Sequence, residues 1–116
     1  MAEASRETPH ATVILYTTWP DPEGPARAAA VLLEERLIAC ANVLSPMVSV
    51  FRWEGEVQTE DETAVLFKTS RARAEEATAR ILALHPYGEP CVLALASDKA
   101  MSAAGFTGWV ADETKP

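Results

Sequence analysis

Apolar and polar positions along this chain follow two periods, and the switches between them divide it into elements. Thr12-Val-Ile-Leu-Tyr-Thr-Thr18 is a β-branched, nearly continuous apolar run, which predicts a strand buried on both faces, inside a sheet. Trp19-Pro-Asp-Pro-Glu-Gly-Pro25 packs three prolines and a glycine into seven residues and predicts a loop. Pro22 or Pro25 suits the first helical position, where no N–H is needed, and Pro25 is preferred because deeper in a helix it would forfeit a hydrogen bond. Ala26, Ala30, Leu33 and Leu37 then recur at helical spacing, with Glu34, Glu35 and Arg36 off that stripe, which predicts an amphipathic helix.

Cys40-Ala-Asn-Val-Leu44 begins a second strand, interrupted at Ser45-Pro46 by a bulge or an edge. Met47–Trp53 resumes it, Glu54-Gly55 marks a turn, and Glu56 leads through acidic residues into Ala64-Val-Leu-Phe-Lys-Thr69, so the two strands read as one long hairpin. Ser70 is the expected N-cap of a second helix with Glu75 and Glu76 in its early turns, Ala74, Ala77, Ile81 and Leu84 as its apolar stripe, and Pro86 as its stop. Cys91–Ala96 reads as the fourth strand, and Phe106 and Trp109 place a short helical turn near the end. The order βαββαβ specifies an α+β, ferredoxin-like sandwich: four antiparallel strands with two helices on one face. Residues 47–60 are longer than that sheet needs. Surplus strand exposes hydrogen-bonding edges that pair with another chain, so the hairpin points to oligomerisation.

With 116 residues and 12.5 kDa the chain is one domain's worth. The expected division is a flexible tail over 1–10, a single domain over 11–110 and a tail over 111–116. Ten Lys and Arg against seventeen Asp and Glu leave a net charge of −7, which argues against nucleic acid and against an anionic membrane face. Met1–His10 has no apolar core of a secretory signal, and no run approaches a transmembrane span. Two cysteines without a C-x-x-C pair fit a reducing compartment, and the expected location is cytoplasmic.

Candidate chemistry is sparse. The loop Thr17–Gly24 has neither the arginine of an acylphosphatase-like phosphate cradle nor the C-x-x-C of a soft-metal chaperone. No P-loop, G-x-S-x-G or H-E-x-x-H pattern occurs, and no nucleophile–base pair is visible; the chain reads as a non-enzyme. Glu54, Glu56, Glu60, Asp61 and Glu62 read as a solvated hairpin end rather than a hard-cation site. Cys40 and Cys91 read as buried, inert thiols, and His10 sits in a tail. His85 ends a helix, where an imidazolium complements the dipole or an imidazole serves a ligand or metal. Lys68, set inside an apolar strand, either alternates to solvent or lines an anion-binding cleft.

Thr17-Thr18-x-Pro20-Asp21, Glu34-Glu-Arg-Leu-Ile-Ala-Cys-Ala-Asn-Val43, Ser49-Val-Phe-Arg-Trp-Glu-Gly55, Lys68-Thr69 and His85-Pro-Tyr87 together resemble the CutA divalent-cation tolerance family. Phe106-x-x-Trp109 fits that family's closing Tyr-Leu-x-Trp segment, and the similarity runs from about Val13 to Val110. The resemblance implies a ferredoxin-like subunit of a compact homotrimer, related in architecture to the PII signalling proteins. It implies a role in tolerance to copper and other divalent cations, with no enzymatic activity and no required cofactor. It also implies a cleft at the subunit boundary lined by Arg52, Trp53, Lys68, His85 and Tyr87, with His85 as donor to Cu or another divalent metal. Two alternatives stand beside it: a PII-like sensor holding a small anion between subunits through Arg52 and Lys68, and a structural, partner-binding trimer. Trp19 stands where the family often has cysteine, Phe51 and Phe106 where it has tyrosines, and Gly88-Glu89-Pro90-Cys91 where it often reads Glu-x-Pro-Glu. The cleft is therefore expected to lack the thiolate that suits Cu(I).

Overall fold

The structure, a computed structural model, describes residues 9–116; the part of the expected N-terminal tail before Pro9 lies outside them. The elements are β1 (Thr12–Trp19), α1 (Glu23–Glu34), β2 (Cys40–Trp53), β3 (Glu56–Ser70), α2 (Arg71–Leu84), β4 (Val92–Ala96) and α3 (Ala104–Glu113). All neighbours in the sheet β2-β3-β1-β4 are antiparallel. This is the ferredoxin-like sandwich, with an added C-terminal helix.

Val13, Leu15 and Trp19 of β1 and Val65 and Phe67 of β3 are buried against α1 and α2. Ile14, Tyr16 and Thr18 alternate with them and are only half-buried. In the single chain β1 is therefore fully covered on one face, not two. The other face is apolar and partly open: Leu93 and Leu95, opposite Tyr16 and Ile14, are 58% and 50% exposed. α3 covers one end of that face, because it reaches Lys68 and Ser70, which alternate with the core residues of β3.

The helix α1 differs in phase from the sequence expectation. Pro25, Ala28, Ala29 and Leu32 are buried, whereas Ala26, Ala30 and Leu33 face solvent. Pro25 is the third helical residue, and it still loses nothing, since Ala26 is the first to donate back, to Pro22 O. Leu37 is buried, but not as part of the helical stripe. Arg36 turns left-handed (φ 57°), Arg36 N donates to Leu33 O and Leu37 N to Leu32 O. That is a Schellman ending, which folds Leu37 back onto the core. In α2 the expected stripe holds, with Ala77 and Ile81 fully buried, and Ser70 takes the N-cap position, but its side chain makes no capping hydrogen bond and meets Thr114 instead.

The hairpin is one long two-stranded arm. β2 runs without a break through Pro46, with a register shift between Val43 and Pro46. At the tip Trp53 pairs with Glu56 across Glu54 (φ 49°) and Gly55 (φ 83°), a two-residue turn with both central residues left-handed. β1 ends at its rung with Thr63, so residues 56–62 of β3 extend past the body of the sheet. This extension explains a radius of gyration of 15.0 Å where a compact chain of this length has about 13 Å.

The expected C-terminal tail is corrected. α3 continues through Glu113, Ala111 is buried and Thr114 is 1% exposed. The Thr114 hydroxyl lies 2.9 Å from both Val110 O and Ser70 Oγ, which pins the segment to the start of α2. At the other end Pro9 O and Ala11 O accept from Ala72 and Arg71, so Pro9 is tied to the same helix.

Candidate functional site

His85, Tyr87 and Trp19 meet where the loop after α2 crosses the end of β1. Pro86 stops α2 and holds His85 extended (φ −81°, ψ 140°), which turns its ring inward, 7% exposed. The ring stacks on Trp19 at 4.0 Å between centroids. Its Nε2 lies 2.8 Å from Thr18 O, and its Nδ1 accepts from Tyr87 N at 3.1 Å. A carbonyl only accepts and a backbone N–H only donates, so these contacts specify the neutral Nε2–H tautomer. The imidazolium reading of His85 as a dipole complement is corrected on that ground. Both nitrogens are already engaged, and a metal would take one only by displacing a bond.

Trp19 is the anchor beneath the histidine. It is 1% exposed, packs near Phe67, and its Nε1–H donates to Thr17 Oγ1 at 2.7 Å, which in turn donates to Val65 O at 3.0 Å. Next to it a surface cleft of about 310 Å³ is lined by Trp19, Asp21, Arg27, Leu84 and Pro86 among others. Asp21 is committed there to Gly24 N at 2.8 Å, capping α1.

Tyr87 closes the group. Its hydroxyl donates to Glu62 Oε2 at 3.0 Å, and its pKa is pushed up to about 12, first by burial, then by the hydrogen bond to Glu62 and the charges of Glu62, Glu60 and Asp21. Glu62 is 8% exposed and so does not belong to a solvated hairpin end, where its neighbours Glu60 and Asp61 do remain exposed. Nothing in the local acid run distinguishes Glu62; the signal is a tyrosine 25 positions later that only the fold brings near.

The other expected cleft residues stand elsewhere in the single chain. Arg52 and Trp53 are exposed at the arm's tip, where Arg52 Nη1 donates to Gly55 O at 3.2 Å. Lys68 is half-buried on the open face with its Nζ 5.5 Å from the Phe106 ring centre, and Phe106 pairs with Trp109 at 5.7 Å. Only His85 and Tyr87 touch each other. Cys40 and Cys91 are free thiols and half-buried rather than buried. Among the described residues no three His, Cys, Asp or Glu side chains converge as metal ligands.

The ferredoxin-like domain with its protruding arm is of the class to which solved CutA1 and PII-like proteins belong. The chain belongs to the CutA1 divalent ion tolerance family, whose profile matches residues 13–113. The divalent-cation tolerance protein CutA of Pyrococcus horikoshii is 37% identical over 103 residues, 89% of this chain and 98% of that protein. Its counterpart in Archaeoglobus fulgidus is 35% identical over 86% of this chain and 94% of that protein. The crystal structure of the divalent ion tolerance protein CutA1 of Ehrlichia chaffeensis superposes with a TM-score of 0.84 at 37% identity, covering 91% of this chain and 97% of the other. The PII-like protein CutA of Nostoc does so at 0.81 and 35%, covering 89% and 97%. Among the described residues no helix is long and apolar enough to cross a membrane.

Proposed function

We propose that the protein acts in divalent-cation tolerance as a cytoplasmic, non-catalytic homotrimer whose ligand site is completed at a subunit boundary. The observation that carries this reading is the unfinished sheet. The order β2-β3-β1-β4 leaves two free edges, and the open face beside β4 is lined by leucines. The arm exposes Val48, Val50 and Val57 at 63%, 67% and 63%. An apolar strand that overhangs its own sheet is suited to extend the sheet of a second copy, and a head-to-tail contact of that kind forms a ring when the rotation closes. The number three comes from the family's PII-like relation.

A divalent metal such as copper is one candidate ligand. With Trp19 in place of a thiol, and His85 held by Thr18 and Tyr87, it binds modestly. A small anion is the second candidate, favoured by Lys68, a half-buried cation with no carboxylate partner among the described residues. Nucleic acid and anionic membranes are not partners at a net charge of −7. The test joins sedimentation equilibrium to titration calorimetry of Cu²⁺, Zn²⁺ and nucleotides against wild type, His85→Ala and Lys68→Ala. The expected results are a mass near three times 12.5 kDa, modest metal binding weakened by His85→Ala, and anion binding lost with Lys68→Ala. A monomer at micromolar concentration ends the assembly reading; tight metal binding that survives His85→Ala moves the metal to the hairpin acids.

A further inference from the structure

Glu62 is an anomaly of charge. It is nine-tenths buried, its one hydrogen bond comes from Tyr87, and no Lys, Arg or His pairs with it among the described residues. Asp21 and Glu60 act on the same tyrosine by charge, so the charges that reach this pair add to the acidity rather than offset it. A carboxylate taken out of water without a countercharge is costly, and native proteins pair it.

The arm supplies a cation in one place. Residues 47–62 hold five acids and a single basic residue, Arg52. The pairing register sets Arg52 on the opposite face from three of these acids. Arg52 alternates with Val48 and Val50 and stands opposite Val57, whereas Glu56, Glu60 and Glu62 lie opposite Trp53, Ser49 and Met47 on the other face. One face of the arm thus carries exposed valines between the Arg52 guanidinium near the tip and Asp61, opposite Val48, at the base. A surface that matches it is apolar and ends in a buried acid. The open face has both: Leu93 and Leu95 of β4 stand opposite Tyr16 and Ile14, and on β3 the same face runs from Lys68 through Leu66 and Ala64 to Glu62.

We propose that Arg52 of a second copy supplies the countercharge of Glu62, so that the Glu62–Tyr87 pocket is complete only in the assembly. This rests on the homotrimer reading and names the pair that closes its boundary. The experiment is a double-mutant cycle on subunit dissociation, measured by sedimentation and mass photometry for wild type, Arg52→Gln, Glu62→Gln and the double variant. Arg52→Gln strands a buried carboxylate and is expected to weaken assembly by about thirtyfold or more, and by under about threefold once Glu62→Gln is present. Arg52 is exposed at a turn, so Arg52→Gln folds in either background, and Arg52→Lys is expected to restore part of the loss. An assembling wild type in which Arg52→Gln has no effect, or an equal effect in both backgrounds, overturns this pairing alone. A monomeric wild type overturns the homotrimer reading with it.

Discussion

Thr17 holds two neighbours with one hydroxyl, accepting from the Trp19 indole and donating to Val65 O in a fully buried position. Thr17→Val keeps the shape and strands both partners, so it is expected to lower stability by about 1–3 kcal/mol, read from the urea midpoint at constant slope. Loosening Trp19 should also free the His85 ring stacked on it. Tyr87 gives the clearest titration. The chain has two tyrosines, and absorbance of the phenolate should show Tyr87 ionising near pH 12. A raised phenol pKa means that its contribution to stability is complete below the unfolded value of about 10 and is lost as pH rises through the folded one. Glu62→Gln should lower the titration partway, since burial, the larger cause, remains; an unchanged value would show that Glu62 is not the group that matters. Glu35 runs the opposite way. Its bidentate hydrogen bonds to Arg80, both at 2.9 Å, hold its carboxyl below the usual range, a contribution present above that range and lost on acidification.

The elements differ in how far the sequence could specify them. Strands and the arm were legible because turn residues bracket β-branched runs, and Glu54-Gly55 has the chemistry its left-handed turn requires. Gly55→Val should cost about 1–2 kcal/mol, while Glu54→Asn should raise stability by a few tenths, since Asn tolerates that conformation best after Gly; equal thermal midpoints for the two variants would contradict this account. The face of α1 was not legible. Ala28-Ala29-Ala30 and Leu32-Leu33 offer apolar side chains in almost every direction, so periodicity alone could not choose the buried side. The sheet chooses it, by which residues fit above Leu15 and Phe67. The last helix reads short in the sequence for a similar reason: its Gly105 and Gly108 are poor helix formers, and the bonds that hold it reach back to Ser70. At the site, His85 and Tyr87 could be picked out locally, but Glu62 could not.

For the molecule as a whole, the face and arm left open by one chain set the expected response to charge. Val50 is 67% exposed in the single subunit, so Val50→Asp should leave the fold nearly untouched, within about 0.5 kcal/mol. If the arm docks on another copy, the same change should split the assembly, because an unpaired carboxylate would then be buried. Sedimentation and the far-ultraviolet dichroism spectrum separate the two effects; an intact assembly with Val50→Asp would place the docking strip elsewhere.

The strand Val92–Ala96 carries no charge and no proline along its outer side. Natural edges are usually guarded by one or the other, because a bare row of amide and carbonyl groups accepts any extended peptide. On the proposed homotrimer reading, a freshly made chain enters a race between meeting its own kind and meeting a stranger. The race turns on abundance, since encounter with a sibling quickens with concentration while exposure to chaperones and proteases does not wait. Sparse expression then leaves the chain most at risk, and a gatekeeper such as Leu93→Lys would spare it from misassembly at the cost of the proposed contact between copies.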